Sequence, residues 1–266
     1  PFYAEDYLPS EFGTFYPIFD GRDSRVFGDF MFLSLRTDFS NREYWTTPDA
    51  GQTFNKFEFD ADFFSEAYDL GDNRYMVQVA DYDNSQPSFY RCKWFYSGDG
   101  GQSFTQVIFD YGRNSRIIGH TNTSFIIHDM DKIYYRNFSN FVQTNVITLP
   151  EECEMVRVEG NLIQAASYDV ANSQTATAFT LFTSTNGGGS FTSETSTKPD
   201  GFQFDYSVID NYLFFEDFDL YRYDLNNFSA GPTIFPGETY PQGPFKKTLD
   251  GRVVNSKPKN FTDPFF

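Results

Sequence analysis

The sequence predicts an all-β fold, a β-propeller of six blades, and three observations predict it. The chain of 266 residues carries 34 Phe, 18 Tyr and 2 Trp, enough large apolar rings for a sizeable core. One eight-residue pattern, Ser/Thr, any, Asp/Asn, any, Gly, any, Ser/Thr, Phe, occurs three times: from Thr47 to Phe54, Ser97 to Phe104 and Ser184 to Phe191. Two weaker copies fill the gaps, and the five closing residues Phe54, Phe104, Phe141, Phe191 and Phe228 are spaced 50, 37, 50 and 37 apart, so any two units span 87. Units of about 40 to 50 residues carrying about four short strands are the period of a propeller blade.

The elements follow in order. Thr14 to Phe19 reads as one outer strand, and aromatic Tyr44-Trp45 as the strand entering the first octet. The second unit shows the pattern in full. Strands at Arg74 to Ala80 and Ser88 to Tyr96 flank a polar turn at Asp81 to Pro87, and Phe104 to Phe109 follows the octet. The third and fifth units keep only Arg136 to Phe141 and Tyr223 to Phe228, where the octet's Gly is lost. Pro150 to Met155 reads as a linker rather than a helix. The fourth unit repeats the second, with strands at Asn161 to Ser167 and Thr177 to Thr183; its Asn-Ser-Gln triplet at 172 lies 88 residues from the one at 84. Phe245 to Leu249 and Arg252 to Asn255 read as inner strands. Joined to the N-terminal strand they would make a sixth blade, closing a single domain over residues 1–266 and removing exposed sheet edges.

Each octet has the chemistry of a tight strand-turn-strand corner. The side chain of Asp49, Asp99 or Asn186 can accept from nearby backbone N–H groups, Gly51, Gly101 or Gly188 supplies positive φ, and Phe54, Phe104 or Phe191 plugs the turn into the core. The pattern is the Asp-box signature, and the chain resembles the Asp-box (BNR-repeat) propellers, which include sialidases and sortilin-type VPS10 domains. The likeness is greatest to a sortilin-type blade, through Tyr75 to Ala80, Phe89 to Tyr96 and Ser97 to Phe104, and covers about residues 30 to 230. It implies a fold more than a function, because the same turn serves enzymes, receptors and lectins.

Charge excludes one class of partner: 37 acidic against 20 basic residues give −17, which repels nucleic acid. No apolar stretch approaches the roughly 20 residues that span a bilayer, and no signal-peptide pattern opens the chain at Pro1. The alternative is a sialidase-like or other glycoside hydrolase: the first needs an Arg trio, an Asp acid/base and a Tyr nucleophile tuned by Glu, and the second a pair of carboxylates, which nothing among the 37 acids selects. Arg22 and Arg25 lie in roughly the right region, but a turn explains them as well. The acidic groups Asp60 and Asp62, Asp81 and Asp83, and Glu216, Asp217 and Asp219 lack Ca²⁺-loop spacing and read as solvated faces. His128, in a strand, reads as structural, and neither it nor His120 joins Cys92 or Cys153 in a zinc spacing. The two cysteines are expected not to pair, since a whole unit separates their strands. No catalytic residue, metal or cofactor is therefore predicted.

The expected function is binding of a protein or glycan partner, or service as a subunit of an extracellular assembly. In a four-stranded meander the octets emerge at one end and the turns between second and third strands at the other. The latter hold the candidate binding residues Asp83, Asn84, Gln86, Asp169, Asn172 and Gln174, on loops carried by a rigid scaffold. Sequons at Asn122, Asn137, Asn227 and Asn260 are consistent with a secreted glycoprotein.

Overall fold

The computed structural model describes residues 18–19, 25–36, 42–59, 63–82, 90–109, 111, 115–168, 178–197, 206–216, 220–235, 245–247 and 253–255. Among them the chain is all-β apart from a one-turn 3-10 helix, Phe228–Ala230. Alternating and fully apolar runs bounded by Gly, Asn and Asp turns produce this architecture. No helix among these residues is long and apolar enough to cross a membrane.

Five sheets follow one another along the chain. The first holds β1 (Ile18–Phe19), β2 (Arg25–Phe27), β3 (Phe30–Arg36), β4 (Arg42–Thr47) and β5 (Asn55–Phe57). The second runs β6 (Phe63–Asp69), β7 (Tyr75–Tyr82), β8 (Tyr90–Ser97), β9 (Thr105–Val107), and the third β10 (Arg116–His120), β11 (Ser124–Asp129), β12 (Lys132–Asn137), β13 (Gln143–Thr148). The fourth runs β14 (Met155–Glu159), β15 (Leu162–Tyr168), β16 (Ala178–Ser184), β17 (Thr192–Thr197), and the fifth β18 (Tyr206–Ile209), β19 (Tyr212–Glu216), β20 (Leu220–Asp224), β21 (Thr233–Phe235). Each of the last four is a simple antiparallel meander in chain order. A separate hairpin pairs β22 (Phe245–Lys247) with β23 (Val253–Asn255).

The N-terminal strand departs from expectation. Ile18 and Phe19 pair with Arg36 and Leu35, while Arg25 to Phe27 pair with Phe32 to Phe30. β1 and β2 thus divide the edge of the seven-residue strand β3 between them, as one interrupted first strand of the first sheet. β2 covers only the near end of β3, and β1 pairs at its far end. This pairing replaces the expected one with the C-terminal strands.

Close contacts divide the chain into two compact units, Pro1–Asp129 with Tyr135–Thr144, and Met130–Tyr134 with Asn145–Phe266. In the first, Phe30, Phe32 and Tyr44 of the first sheet pack with Phe59 and with Ala67, Tyr75, Val77 and Val79 of the second. The Phe30 and Tyr75 rings stack with centroids 3.7 Å apart. In the second unit, Met155, Ala166, Phe179 and Leu181 of the fourth sheet meet Leu213, Tyr223, Leu225 and Phe228 of the fifth.

Burial falls from the second strand of a sheet to the fourth. Tyr75 to Ala80, Ser124 to His128 and Ile163 to Ser167 are buried without a break, so these strands are covered on both faces. Across β13 and β17 only Ile147 and Ser196 are buried. The fourth strands are outer edges, and their Thr, Ser, Gln and Asn content fits an edge that meets water.

Candidate functional site

All three octets fold alike, each between the third and fourth strands of its sheet. In the first, the Thr47 hydroxyl donates to Asp49 Oδ1 at 2.9 Å and accepts from Gly51 N–H at 2.7 Å. Asp49 Oδ1 also accepts from Thr53 N–H at 2.8 Å, and Oδ2 from the Thr53 hydroxyl at 2.7 Å. Ser97, Asp99, Gly101 and Ser103 repeat the set at 2.8, 2.8, 3.0 and 2.5 Å. In the fourth sheet one bond reverses: the Ser184 hydroxyl and Ser190 N–H still donate to Asn186 Oδ1, but Asn186 Nδ2 donates to Ser190 Oγ at 3.0 Å.

These bonds set the ionisation of the two acids. The Thr53 hydroxyl, with the neighbouring N–H groups, holds the Asp49 carboxyl below its ordinary value of 3.8. For Asp99 burial is the largest single influence and acts upward, yet hydrogen bonds from Ser103, Ser97 and Gln102 together outweigh it and lower the value.

A second bond recurs in all five sheets and was not read from the sequence. The residue after the octet's Asp or Asn donates its N–H to a carbonyl of the turn between the first and second strands. The pairs are Ala50 to Asp29, Gly100 to Asn73, Phe138 to Thr123, Gly187 to Asn161 and Leu225 to Asn211, at 2.7 to 3.0 Å. This clamp places the weaker copies: Phe138 and Leu225 occupy the position of Ala50, and both are buried, so an apolar side chain fills the corner instead of a glycine backbone. Asn137 and Asp224 keep a reduced version of the Asp role, accepting from the N–H two residues on at 2.7 and 2.9 Å.

The octet phenylalanines are less buried than expected. Phe54, Phe104 and Phe191 are all half-buried, Phe54 against Leu33 and Trp45, and Phe104 edge-on to Phe57 at 5.0 Å. In the second and fourth sheets the tight contact is made by the glycine instead. A Cβ on Gly101 would lie 2.0 Å from the Phe30 ring, and one on Gly188 would lie 2.4 Å from Ile147 Cγ2. In the fifth sheet the phenylalanine is the plug: Phe228 is wholly buried, with rings of Tyr223 and Phe179 at 4.9 and 5.1 Å.

The candidate binding residues Asp83, Asn84, Gln86, Asp169, Asn172 and Gln174 lie outside the described residues, as do Asn260, Arg22, Asp60, Asp62, Asp217 and Asp219. Asn122 is exposed in the β10–β11 turn, Asn227 is exposed before the 3-10 helix, and Asn137 is half-buried with its Oδ1 accepting from the Ser139 hydroxyl at 2.7 Å.

Among the described residues, Arg25, Arg74, Arg136 and Arg157 have partners within the fold. Arg25 forms a two-pronged pair with Glu66, Arg74 bonds Asp72 at 2.7 Å, and Arg157 bonds Glu159 at 2.6 Å. Arg136 lies over the Phe109 ring and donates to the Phe141 carbonyl. His128 is buried on β11, and the His120 ring rests against Gly71. Among the described residues no group of three His, Cys, Asp or Glu is arranged to hold a metal ion, and no disulfide joins Cys92 to Cys153. Burial, with Glu151, Glu154 and Asp131 nearby, pushes the Cys153 thiol up to about 12, which keeps it protonated.

A cleft of about 390 Å³ in the first unit is bounded by Pro48, by Asp72, Asn73 and Tyr75, and by the second octet. Asp72 and Asp99 both line it, but one is paired with Arg74 and the other is bonded inside its own octet. Sequence reasoning also missed two buried polar residues. Gln78 donates to the Ser115 carbonyl at 3.0 Å and Gln164 to the Leu225 carbonyl at 3.3 Å, each satisfying a buried acceptor beyond its own strand. Their signal was a lone Gln inside an apolar strand at matching places, 86 residues apart.

No family model and no curated protein matches the chain. Among solved structures, AztD from Citrobacter koseri is similar at 12% identity and a TM-score of 0.44, over 82% of this chain and 73% of that one. Hsv2 from Kluyvelomyces marxianus is similar at 10% identity and a TM-score of 0.40, over 74% of this chain and 73% of that one. Likenesses this low decide neither fold nor ligand, which rest on the chain's own sheets and turns.

Proposed function

We propose that the chain is a secreted, non-catalytic Asp-box propeller of one domain, related in blade design to sortilin-type VPS10 domains. It binds a protein or glycan partner at the sheet ends opposite the octets, or forms a subunit of an extracellular assembly. Five clamped sheets supply five blades, and the β22–β23 hairpin begins a sixth. One observation carries the reading. The most distinctive polar residues of the sequence, Asp49, Asp99 and Asn186, bond within their own turns, so they act as scaffold rather than as chemistry. The free variation is then left to the other end, where Asp83, Asn84, Gln86, Asp169, Asn172 and Gln174 form the partner surface. Sugar on Asn122, Asn137, Asn227 or Asn260 accompanies a secretory location.

The test has two arms. Purified protein is assayed for release of fluorophore from sialosides and common glycosides, and for binding on a glycan array and to candidate extracellular proteins. No turnover is expected, and binding is expected to be lost when Asp83, Asn84 and Gln86, or Asp169, Asn172 and Gln174, are changed to Ala. Turnover at an enzymatic rate, or binding indifferent to both triple changes, refutes the proposal.

A further inference from the structure

Asn186-Gly187 is the one Asn-Gly pair in the sequence, and it lies where the other two octets carry aspartate. With glycine next in the chain, no Cβ hinders attack of the following peptide nitrogen on the side-chain amide. In that reaction Gly187 N bonds to Asn186 Cγ, the Cγ–Nδ2 bond breaks, and the peptide proton leaves with the departing nitrogen as ammonia. Water then opens the cyclic imide at one carbonyl or the other. One product is aspartate; the other is isoaspartate, whose backbone is longer by a methylene.

In the closed turn every participant is held. Gly187 N–H donates to the Asn161 carbonyl at 2.9 Å, so the attacking nitrogen keeps its proton in a bond. Asn186 Oδ1 accepts from the Ser184 hydroxyl at 2.8 Å and from Ser190 N–H at 3.0 Å, while Nδ2 donates to Ser190 Oγ. Bringing Cγ onto Gly187 N requires breaking these bonds together.

We propose that Asn186 is a latent deamidation site gated by its own turn, silent while the turn is closed and reactive once it opens. The two products then have opposite fates. Aspartate fits, because Asp49 and Asp99 already stand in the same bond set with a hydroxyl donating to Oδ2. Isoaspartate does not fit. Its added methylene displaces Gly187 and Gly188, and Gly188 has no room to move toward Ile147, whose Cγ2 already lies within 2.4 Å of where a Cβ would stand. Opening of the fourth sheet's octet is therefore recorded covalently, and part of the product cannot close again.

The experiment incubates the full chain, folded and in concentrated urea, at mildly alkaline pH. It follows hydrolysis at Asn186 by peptide mass spectrometry and isoaspartate by enzymatic methyl labelling. The folded chain is expected to react at least about tenfold more slowly than the unfolded one, since reaction requires local opening. Ser190→Ala, which removes the bond to Nδ2, should raise the folded rate roughly threefold or more. Asn186→Asp should melt with the wild type, and chains enriched in isoaspartate should melt below it. Equal rates in folded and unfolded wild type overturn the proposal, and that comparison needs no variant to fold. An unchanged rate in folded Ser190→Ala, or a substantial loss of stability in Asn186→Asp, overturns it as well.

Discussion

At the scale of single residues, the corner of each sheet is filled in one of two ways, and substitutions should tell them apart. Where glycine fills it, the cost lies in adding an atom. Gly101 has a φ of 83° and its Cβ would strike the Phe30 ring, so Gly101→Ala should lose about 2–4 kcal/mol from strain and overpacking together. Gly51→Ala meets only Phe54 Cζ at 3.7 Å, and at a φ of 90° it should lose about 1–3 kcal/mol from strain alone. Where an aromatic ring fills the corner, the cost lies in removing atoms. Phe228→Ala should lose about 3–5 kcal/mol, against about 1–2 kcal/mol for half-buried Phe104→Ala. Urea unfolding of the four variants measures the order directly.

At the scale of the turn, the octets differ in one property that no apolar contact provides, which is titration. Asp49 and Asp99 are held below 3.8 in the folded chain, so in the unfolded chain they bind protons more readily. The stability they contribute is fully present above the ordinary carboxylate value and is lost as pH falls through 3.8 and below. Asn186, in the fourth sheet, has no proton to gain. Acid should therefore loosen the first two octets while leaving that of the fourth sheet closed, and Asp49→Asn with Asp99→Asn should flatten the decline below pH 3.8. Amide exchange at Thr53, Ser103 and Ser190 over an acid series gives the comparison turn by turn.

The octets were legible because their physics is local: the bonding groups lie within seven residues, and so does the glycine that permits the bend. The second and third strands were legible for the same kind of reason, through apolar and aromatic runs at Tyr75 to Ala80 and Phe179 to Thr183. First strands were harder. Phe63 to Asp69 carries Ser, Glu and Asp among its aromatics, and Glu66 is there because Arg25, 41 residues away, pairs with it. The clamp left no mark because it joins backbone atoms. Ile18 and Phe19 were misplaced because their partner is decided by which edge of β3 remains open, a fact of register rather than of composition.

At the scale of the whole molecule, two features of the sequence have physical counterparts. A net charge of −17 on 266 residues makes the folded chain repel itself. Raising salt from about 0.02 M to about 0.5 M shortens the screening length severalfold and should raise stability by on the order of 1 kcal/mol, roughly 2–4 °C in melting temperature. Scanning calorimetry at the two salts checks it, and an unchanged melting point would mean that the charges are already compensated. Part of the alternation of 50 and 37 residues lies in connection lengths and part in longer strands in the second and fourth sheets. Between second and third strands the second and fourth sheets have seven and nine residues, whereas the third and fifth have two and three. Length varies at the end away from the octets.

The clamp has a consequence for how such a chain can change. Tying the two turns of one end together makes that end intolerant of added length, since an inserted residue would carry the donor N–H away from its carbonyl. At the opposite end the connections between second and third strands already range from two to nine residues. Grafting a foreign peptide between β19 and β20 should therefore leave the melting temperature nearly untouched, while the same peptide between Gly187 and Gly188 should abolish folding of that sheet. One end of each sheet works as a fixed chassis and the other as a socket, so new recognition can be fitted without redesigning what holds it.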